Sequence, residues 1–194
     1  VRASGHSLRD FNECPQEVPP HLHQTAWCAD RAIEFMEQDR GDAPWLMSVN
    51  PFDPHPPLDP PQEYLDRYDA RRLPGYPVGP EDVTNQASFA DIDFQLPDAP
   101  LDLSRRRQMQ AAYFAMITLI DDNVGRMLES LQRSGQRQDT IVIFASDHGD
   151  MMGEHGLMLK GFMPFRGTQQ VPLVIVDPSR SPGRSGSLSG SIDL

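Results

Sequence analysis

The sequence predicts an α/β fold with a mostly parallel or mixed sheet flanked by helices. Three observations predict it: two helical patterns with one apolar face, three short apolar runs bounded by Pro, Gly or Asp, and the alternation of the two along the chain. At 194 residues the chain has the length of one domain and can bury a substantial core.

Two helices are predicted from apolar residues that recur at three- and four-residue steps. The first runs over about residues 25–38, and Gly41 suits its end. The second is longer and clearer. It begins at Ser104, whose hydroxyl can cap the first turn, and it keeps one apolar face as far as Leu131.

Three strands are predicted over residues 45–49, 140–146 and 171–176. Their apolar residues are consecutive, which is typical of strands buried on both faces. Residues 51–61 contain six prolines and so can form neither a helix nor a central strand. Residues 73–100 show no sustained periodicity, and we expect a long excursion over the surface there.

Charge and missing motifs exclude several classes of function. Lys and Arg number 17 against 28 Asp and Glu, and the net charge of −11 repels phosphate backbones, which argues against nucleic-acid binding. No apolar run is long enough to span a membrane. The sequence has no P-loop, no G-x-G-x-x-G and no G-x-S-x-G. An anionic ligand would therefore need a local positive centre, either a metal ion or a lysine.

Asp147 and His148 directly follow the strand predicted over residues 140–146. Ligands of open α/β sheets bind beyond the carboxyl ends of the strands. A carboxylate and an imidazole are half of a divalent-metal site, provided that the chain turns at Gly149 to bring them together. The alternative is a capping aspartate beside a hydrogen-bonded loop histidine.

Two further residues are candidates for proton transfer and anion binding. His55 lies between Pro54 and Pro56, on a stiff segment that can hold an imidazole in place. Lys160 follows His148 by twelve residues and would be well placed to bind an oxyanion. An exposed loop histidine and a solvated surface lysine remain the alternatives.

Five other polar residues carry weaker signals. Asp150, Glu154 and His155 lie in the loop after His148, where crowded polar residues are common. His21 and His23 precede the first helix, where roles in a turn or a cap are expected.

Four blocks of the sequence together resemble the sulfatase family of the alkaline-phosphatase-like superfamily. They are SVNPFDPHPPLDPPQEYLDRYD, YFAMITLIDDNVGRMLESL, IVIFASDHGDMMGEHGLMLKG and VPLVIV, and a final SGSIDL resembles the start of the family's next motif. The blocks occur in family order over about residues 25–194. The resemblance implies a sulfatase-like α/β fold.

The resemblance also implies roles for four residues. Asp147 and His148 would supply part of a divalent-metal site, with Ca²⁺ expected first and Mn²⁺ or Mg²⁺ as alternatives. His55 would lie beside the sulfate and its leaving oxygen, and Lys160 would contact the same oxyanion. The family's nucleophile is a formylglycine made from Cys or Ser.

The sequence departs from the family at the nucleophile. The motif C/S-x-P/A-x-R is absent, because Cys14 has Val18 at the Arg position and Cys28 has Asp30 and Ala32 at the two fixed positions. The two N-terminal aspartates that complete the metal site in relatives are also missing. We therefore expect residues 1–194 to be the central portion of a single catalytic domain, incomplete, inactive alone and with exposed apolar surface.

We therefore predict that the protein is a sulfuric ester hydrolase that acts on a small sulfate monoester. A phosphonate monoester or phosphodiester hydrolase of the same superfamily is the nearest alternative, and Asp-His in place of the more usual Asp-Asn leans towards it. A non-catalytic remnant is the third. No nucleic-acid or membrane partner is expected, and the compartment and oligomeric state stay open.

Overall fold

The computed structural model describes residues 18–41, 43–76, 78–89, 102–160, 164–187 and 189–190. Cys14, residues 77 and 90–100 of the expected surface excursion, and the last four residues of the SGSIDL block lie outside the described residues. The helices are α1 (Gln24–Met36), α2 (Gln62–Leu65), α3 (Pro80–Phe89), α4 (Leu103–Arg133) and α5 (Arg166–Gln169), and the strands are β1 (Val142–Ala145) and β2 (Leu173–Val176). Short 3₁₀ turns cover Pro20–Leu22, Ala70–Arg72, Arg137–Asp139 and Glu154–Gly156.

Helix α4 is the central element, as its long apolar face predicts. It is capped by Asp102, whose Oδ1 accepts the backbone N–H of Arg105 at 2.8 Å. The expectation that Ser104 is the cap is wrong, because Ser104 lies inside the first turn. Although α4 spans 31 residues, no helix in the described part of the chain combines such length with enough apolar residues to cross a membrane.

Helix α1 packs along α4 through small side chains. Its buried face consists of Thr25, Ala26, Ala29, Ala32 and Met36. Polar pairs fix the register of the two helices at their edges, since Ser130 donates to Glu37 at 2.8 Å and Arg126 pairs with Asp30. His23 is the N-cap of α1, because its Nδ1 accepts the Thr25 N–H, which confirms the expected cap role.

The hydrophobic core lies between α4 and two loops: the proline-rich loop that contains Leu58, and the loop after β1 that contains residues 152–159. Its main cluster is Leu58, Met109, Ala112, Met116, Met152, Met158 and Leu159. A second cluster packs α2 on α4 through Tyr64, Ala115 and Leu119. The hydroxyl of Tyr64 donates to Asp122 at 2.7 Å, and burial, followed by this hydrogen bond, raises the pKa of Tyr64 to about 12.

The described sheet has two strands and is antiparallel. β1 pairs with β2 from Val142 opposite Val176 to Ala145 opposite Leu173. The described pair is not parallel, and the described residues that connect the two strands form a 3₁₀ turn and the four-residue α5 rather than the long crossover helix that usually joins parallel strands. The strand expected over residues 45–49 is absent, since in the described part of the chain no neighbouring strand offers it hydrogen bonds.

Helix α3 lies in the segment where the sequence shows no periodicity. Its signal is local: Pro80 occupies the first turn, and Asp82 Oδ2 accepts the N–H of Gly79 at 2.7 Å, as in a capping box. A helix specified by its cap rather than by an apolar face escapes a search for periodicity.

Candidate active site

A cavity of about 750 Å³ brings together the four residues singled out from the sequence. His55, Asp147, His148 and Lys160 all line it. Its walls are mostly apolar residues of α1, α4 and β1, and its charged and titratable residues come mainly from the loops that follow residue 50 and β1. Segments more than 90 residues apart in the chain thus contribute to one concave surface.

Asp147 and His148 lie just after β1, and the side-chain atoms that could bind a metal ion face one another. Nε2 of His148 lies 3.6 Å from Oδ2 of Asp147, and Oδ1 of Asp147 accepts the backbone N–H of His148 at 2.9 Å. Nδ1 of His148 lies 2.8 Å from the carbonyl oxygen of Gly149. A carbonyl only accepts, so Nδ1 carries the proton and Nε2 of the neutral ring keeps its lone pair.

This donor pair fits a divalent cation. The two donor atoms are close enough to share one ion, and fixing the imidazole tautomer through a backbone carbonyl is the usual arrangement of a metal-binding histidine. Both side chains are accessible, with 86% of the Asp147 side chain exposed and 40% of that of His148. Two ligands make an incomplete site, so further donors would have to join them.

Gly149 fixes this corner by close packing rather than by a left-handed turn. Its N–H donates to the carbonyl of Thr168 at 2.7 Å, and a Cβ at residue 149 would lie 2.0 Å from the carbonyl oxygen of Gly167. Its φ is not among the positive values found at the neighbouring glycines, so the expected turn at Gly149 is not the reason for glycine here. The backbone of α5 therefore holds the Asp147–His148 corner directly.

We expect Gly149→Ala to displace this corner and to destabilise the protein by at least about 1–3 kcal/mol, because the new methyl group meets backbone that cannot rotate away. Gly183→Ala is the matched control, since a Cβ there meets nothing within 4 Å. Thermal unfolding of both variants checks the prediction. Equal midpoints would show that the Gly167 backbone yields at little cost.

A tight loop returns Lys160 to the cavity. The N–H of Met151 donates to the carbonyl of Leu159 at 2.7 Å, and that of Gly153 donates to Leu157 at 2.8 Å. These bonds fold residues 151–159 back on themselves, so that Asp150 and Lys160 flank the base of the loop. The twelve-residue spacing between His148 and Lys160 is therefore bridged by local hydrogen bonds.

Asp150 also lines the cavity, although in the sequence it is only one of several polar residues in a crowded loop. Burial raises the pKa of its carboxyl, while the Met152 N–H and then the nearby Lys160, His55 and His148 act in the opposite direction. Lys160, His55 and His148 are thus all close enough to Asp150 to influence its carboxylate. Tyr113 of α4 also lines the cavity, and burial followed by the charge of Asp150 raises its pKa to about 12.

His55 is held by its neighbours on both sides. Its Nδ1 lies 2.8 Å from the carbonyl oxygen of Pro56, which places the proton on Nδ1 by the same reasoning as for His148. Its ring lies against Phe52 at a centroid distance of 4.7 Å, and its N–H donates to the Phe52 carbonyl at 3.1 Å. Nε2 is consequently the nitrogen left for a ligand.

Asp53, two residues before His55, is a functional candidate that the sequence analysis missed. Its side chain is fully buried and accepts hydrogen bonds from Thr25 Oγ1 and, at 3.0 Å, from Gln24 Nε2. Its position in the proline-rich segment was a visible signal. Its partners 28 and 29 residues earlier were not, because nothing in the spacing links them.

Asp53 also belongs to a second group with metal-ligand chemistry. Donor atoms of His23, Asp53 and Asp59 all lie within 4.8 Å of one another. Nδ1 of His23 lies 3.4 Å from Asp53 Oδ2 but accepts the Thr25 N–H at 3.3 Å, so it is unprotonated and forms no ion pair. Because Thr25 and Gln24 already engage both Asp53 oxygens and His23 caps the helix, we interpret His23 and Asp53 as part of the hydrogen-bonded start of α1.

The remaining candidates serve other contacts. Nδ1 of His155 lies 2.9 Å from Oδ1 of Asp82, and its ring stacks on Phe165. Neither His155 nor Glu154 is among the described residues that line the cavity. Cys28 lines it, but burial and then the charge of Asp53 raise the pKa of its thiol, which disfavours the thiolate.

Comparison with known proteins gives matches over nearly the whole chain. The family model described as Sulfatase matches residues 4–194. An arylsulfatase of Clostridium perfringens is 35% identical over 168 residues, which are 84% of this chain and 34% of the relative. A choline-sulfatase of Rhizobium meliloti is 30% identical over 179 residues, covering 88% of this chain and 34% of the relative.

Among solved structures, a phosphonate monoester hydrolase of Agrobacterium radiobacter superposes with a TM-score of 0.76 at 29% identity. The superposition covers 90% of this chain and 37% of that chain. The predicted fold class is confirmed by this likeness. The chain spans about a third of the length of the relatives it matches.

Proposed function

The chain belongs to the sulfatase family, and on that premise we propose that it forms the central portion of a hydrolase domain that cleaves a small sulfate monoester. The observation that supports this most strongly is that His55, Asp147, His148 and Lys160 all line one cavity, with His55, His148 and Lys160 each near the carboxylate of Asp150. Such a set can neutralise and hold a tetrahedral oxyanion within a protein whose net charge is −11.

We propose that the rest of the domain covers the apolar surface left open here. Side chains of both strands are exposed, among them Ile143 and Phe144 of β1 and Val174 and Ile175 of β2. Ile143 and Phe144 also line the cavity, so the rest of the domain would fill part of its apolar wall. Strands of this composition are normally buried on both faces. Coverage of about a third of each relative supports the same view, and the nucleophile, a formylglycine by family resemblance, would come from outside these 194 residues.

Two side chains are proposed to handle the leaving group. When the ester bond breaks, negative charge grows on the leaving oxygen and a positioned proton donor lowers the barrier. His55 can present Nε2–H when protonated, since Nδ1–H is engaged by Pro56. Lys160 can hold the oxyanion as a cation and is the alternative donor.

The proposed metal lies at Asp147 and His148. A divalent cation bound there would supply Lewis-acid stabilisation of the sulfate oxygens and activation of the nucleophile. Ca²⁺ is the ion we propose first from the family resemblance. An imidazole ligand is more usual for transition metals than for Ca²⁺ or Mg²⁺ and therefore favours Mn²⁺ between the two alternatives, Mn²⁺ and Mg²⁺; metal analysis must separate the three ions.

A phosphonate monoester or phosphodiester hydrolase is the second candidate. Two observations favour it: the histidine beside Asp147, and the TM-score of 0.76 to the phosphonate monoester hydrolase. Sulfate monoesters, phosphonate monoesters and phosphodiesters carry one net negative charge on a tetrahedral centre. One site can therefore accept all three, and their relative rates decide the primary substrate.

The experiment compares the complete domain with the 194-residue chain alone, using matched 4-nitrophenyl sulfate and phenylphosphonate esters. We expect the complete domain to hydrolyse the sulfate with the higher kcat/KM, and the isolated chain to show no turnover and to self-associate in light scattering. A clear preference for the phosphonate would establish the second candidate. Absence of any turnover by the metal-loaded complete domain would instead support a non-catalytic remnant.

A further inference from the structure

We propose that Asp53 is a positioning residue that holds the imidazole of His55 in its working place by anchoring the proline-rich loop to the start of α1. The inference rests on the proposed role of His55 and adds what keeps that side chain in position. It assigns a task to a buried carboxylate that neither the metal nor the substrate needs to touch.

The anchor is a set of hydrogen bonds between two distant segments. Oδ2 of Asp53 accepts from the hydroxyl of Thr25, and Oδ1 accepts from the Gln24 side-chain amide at 3.0 Å. The Asp53 side chain has no exposed surface, so these donors replace the water that it loses on folding. Because each bond spans 28 or 29 residues, the loop is fixed to the helix and not merely to itself.

The anchor reaches His55 through a short and stiff connection. Pro54 alone separates the two residues, and its fixed φ transmits the position of Asp53 with little freedom. The N–H of His55 is tied back to Phe52, and Nδ1 is tied to Pro56. Once Asp53 is held by α1, the backbone of the loop leaves the imidazole few alternative positions.

The other end of the anchor is equally firm. Thr25 is itself buried on the face of α1 that packs towards α4, and His23 caps the same turn. The contact therefore joins His55 to the central helix pair of the fold. Because a displacement of about 1 Å of a reacting group can lower the rate about 10²-fold, an anchor of this kind matters for catalysis.

The test removes the hydrogen bonds between Asp53 and the start of α1 while leaving His55 unchanged. In the complete, metal-loaded domain assayed with an alkyl sulfate, we expect Thr25→Val and Asp53→Ala each to lower kcat about 10–100-fold with little change in KM, because His55 acts mainly in the transition state. Thr25→Ser keeps the hydroxyl. Asp53→Asn can still accept from Gln24 and donate to the Thr25 oxygen. Both conservative variants should retain near wild-type kcat.

Two further measurements separate positioning from general damage. In a His55→Ala background, Thr25→Val should change kcat by no more than about twofold, since the residue it acts through is gone. Glu34→Gln is the control for charge loss on the same helix, because Glu34 is exposed and pairs with Arg31 of α1 itself, so the kcat of this variant should be unchanged. Thermal unfolding identifies any variant that fails to fold; if Asp53→Ala fails, the isosteric Thr25→Val decides, and if Thr25→Val fails, Asp53→Ala against Asp53→Asn decides.

The order of the His55 ring is measured independently of activity by NMR of protein labelled with ¹³Cε1-histidine. We expect its signal to broaden or shift in Thr25→Val and to stay unchanged in Thr25→Ser. An unchanged signal together with unchanged kcat in Thr25→Val would overturn the proposal. If the signal responds but His55→Ala leaves kcat intact, the anchor stands and the proposed catalytic role of His55 fails instead.

Discussion

Replacing His55 by alanine is expected to lower kcat for a sulfate monoester by about 10²–10⁴-fold, the usual contribution of a positioned proton donor. The loss should depend on the leaving group. An aryl sulfate with a 4-nitrophenolate leaving group needs little protonation and should retain most activity, whereas an alkyl sulfate should lose the full factor. Steady-state kinetics over a series of leaving groups in the complete domain measures this slope.

The same series separates His55 from Lys160. If His55 is the donor, Lys160→Met should lower kcat for all esters by a similar factor, because only the hold on the oxyanion is lost. A steeper leaving-group dependence in Lys160→Met than in His55→Ala would assign the proton to the lysine. His21→Ala is the matched control, since His21 is exposed and lies outside the set of residues that line the cavity.

Removing the metal donors should have a comparable or larger effect. We expect Asp147→Ala and His148→Ala to bind less metal and to lose at least about 10³-fold in kcat, because a bound cation stabilises the transition state by several kcal/mol. Metal content by mass spectrometry after dialysis against Ca²⁺, Mn²⁺ and Mg²⁺ in turn checks the first part. Aryl sulfate turnover checks the second.

The control for this pair is Asp121→Asn, an exposed carboxylate of α4 that does not line the cavity. It should keep both metal content and kcat. Full metal content in Asp147→Ala would place the ion elsewhere, and the His23, Asp53 and Asp59 group would then be the first place to search.

The helices were readable from the sequence because their signals are local. The apolar face of α4 and the short periodic run of α1 specify both helices to within a few residues. The ends were less certain, since Asp102 rather than Ser104 caps α4, and the two residues are chemically equivalent as caps. Helix α3 escaped because its first turn is specified by Pro80 and Asp82 rather than by apolar spacing.

Sheet structure was less readable because a strand depends on its neighbours. Residues 45–49 have the composition of a buried strand but no partner in the described part of the chain. β1 and β2 were recognised, yet their antiparallel pairing has no signature in either run. Composition alone therefore identifies a strand's preference without identifying what it pairs with.

The residues of the candidate site also differ in whether a local sequence signal or only a long-range contact identifies them. Asp147 and His148 were identified because they follow a strand, and Lys160 because it lies in the same loop sequence. Asp53 depends on contacts with Thr25 and Gln24 that only the folded chain creates. Asp150 was one acidic residue among several until the return of the loop placed it beside Lys160.

A crystal structure of the complete domain loaded with Mn²⁺ and orthovanadate, with the metal located by its anomalous scattering, would test the proposed arrangement of metal and oxyanion directly. We expect Mn²⁺ bound to Asp147 and His148 and one vanadate in contact with His55 Nε2 and Lys160 Nζ. Vanadate bound elsewhere, or Mn²⁺ that touches neither Asp147 nor His148, would show that these four residues do not form one site.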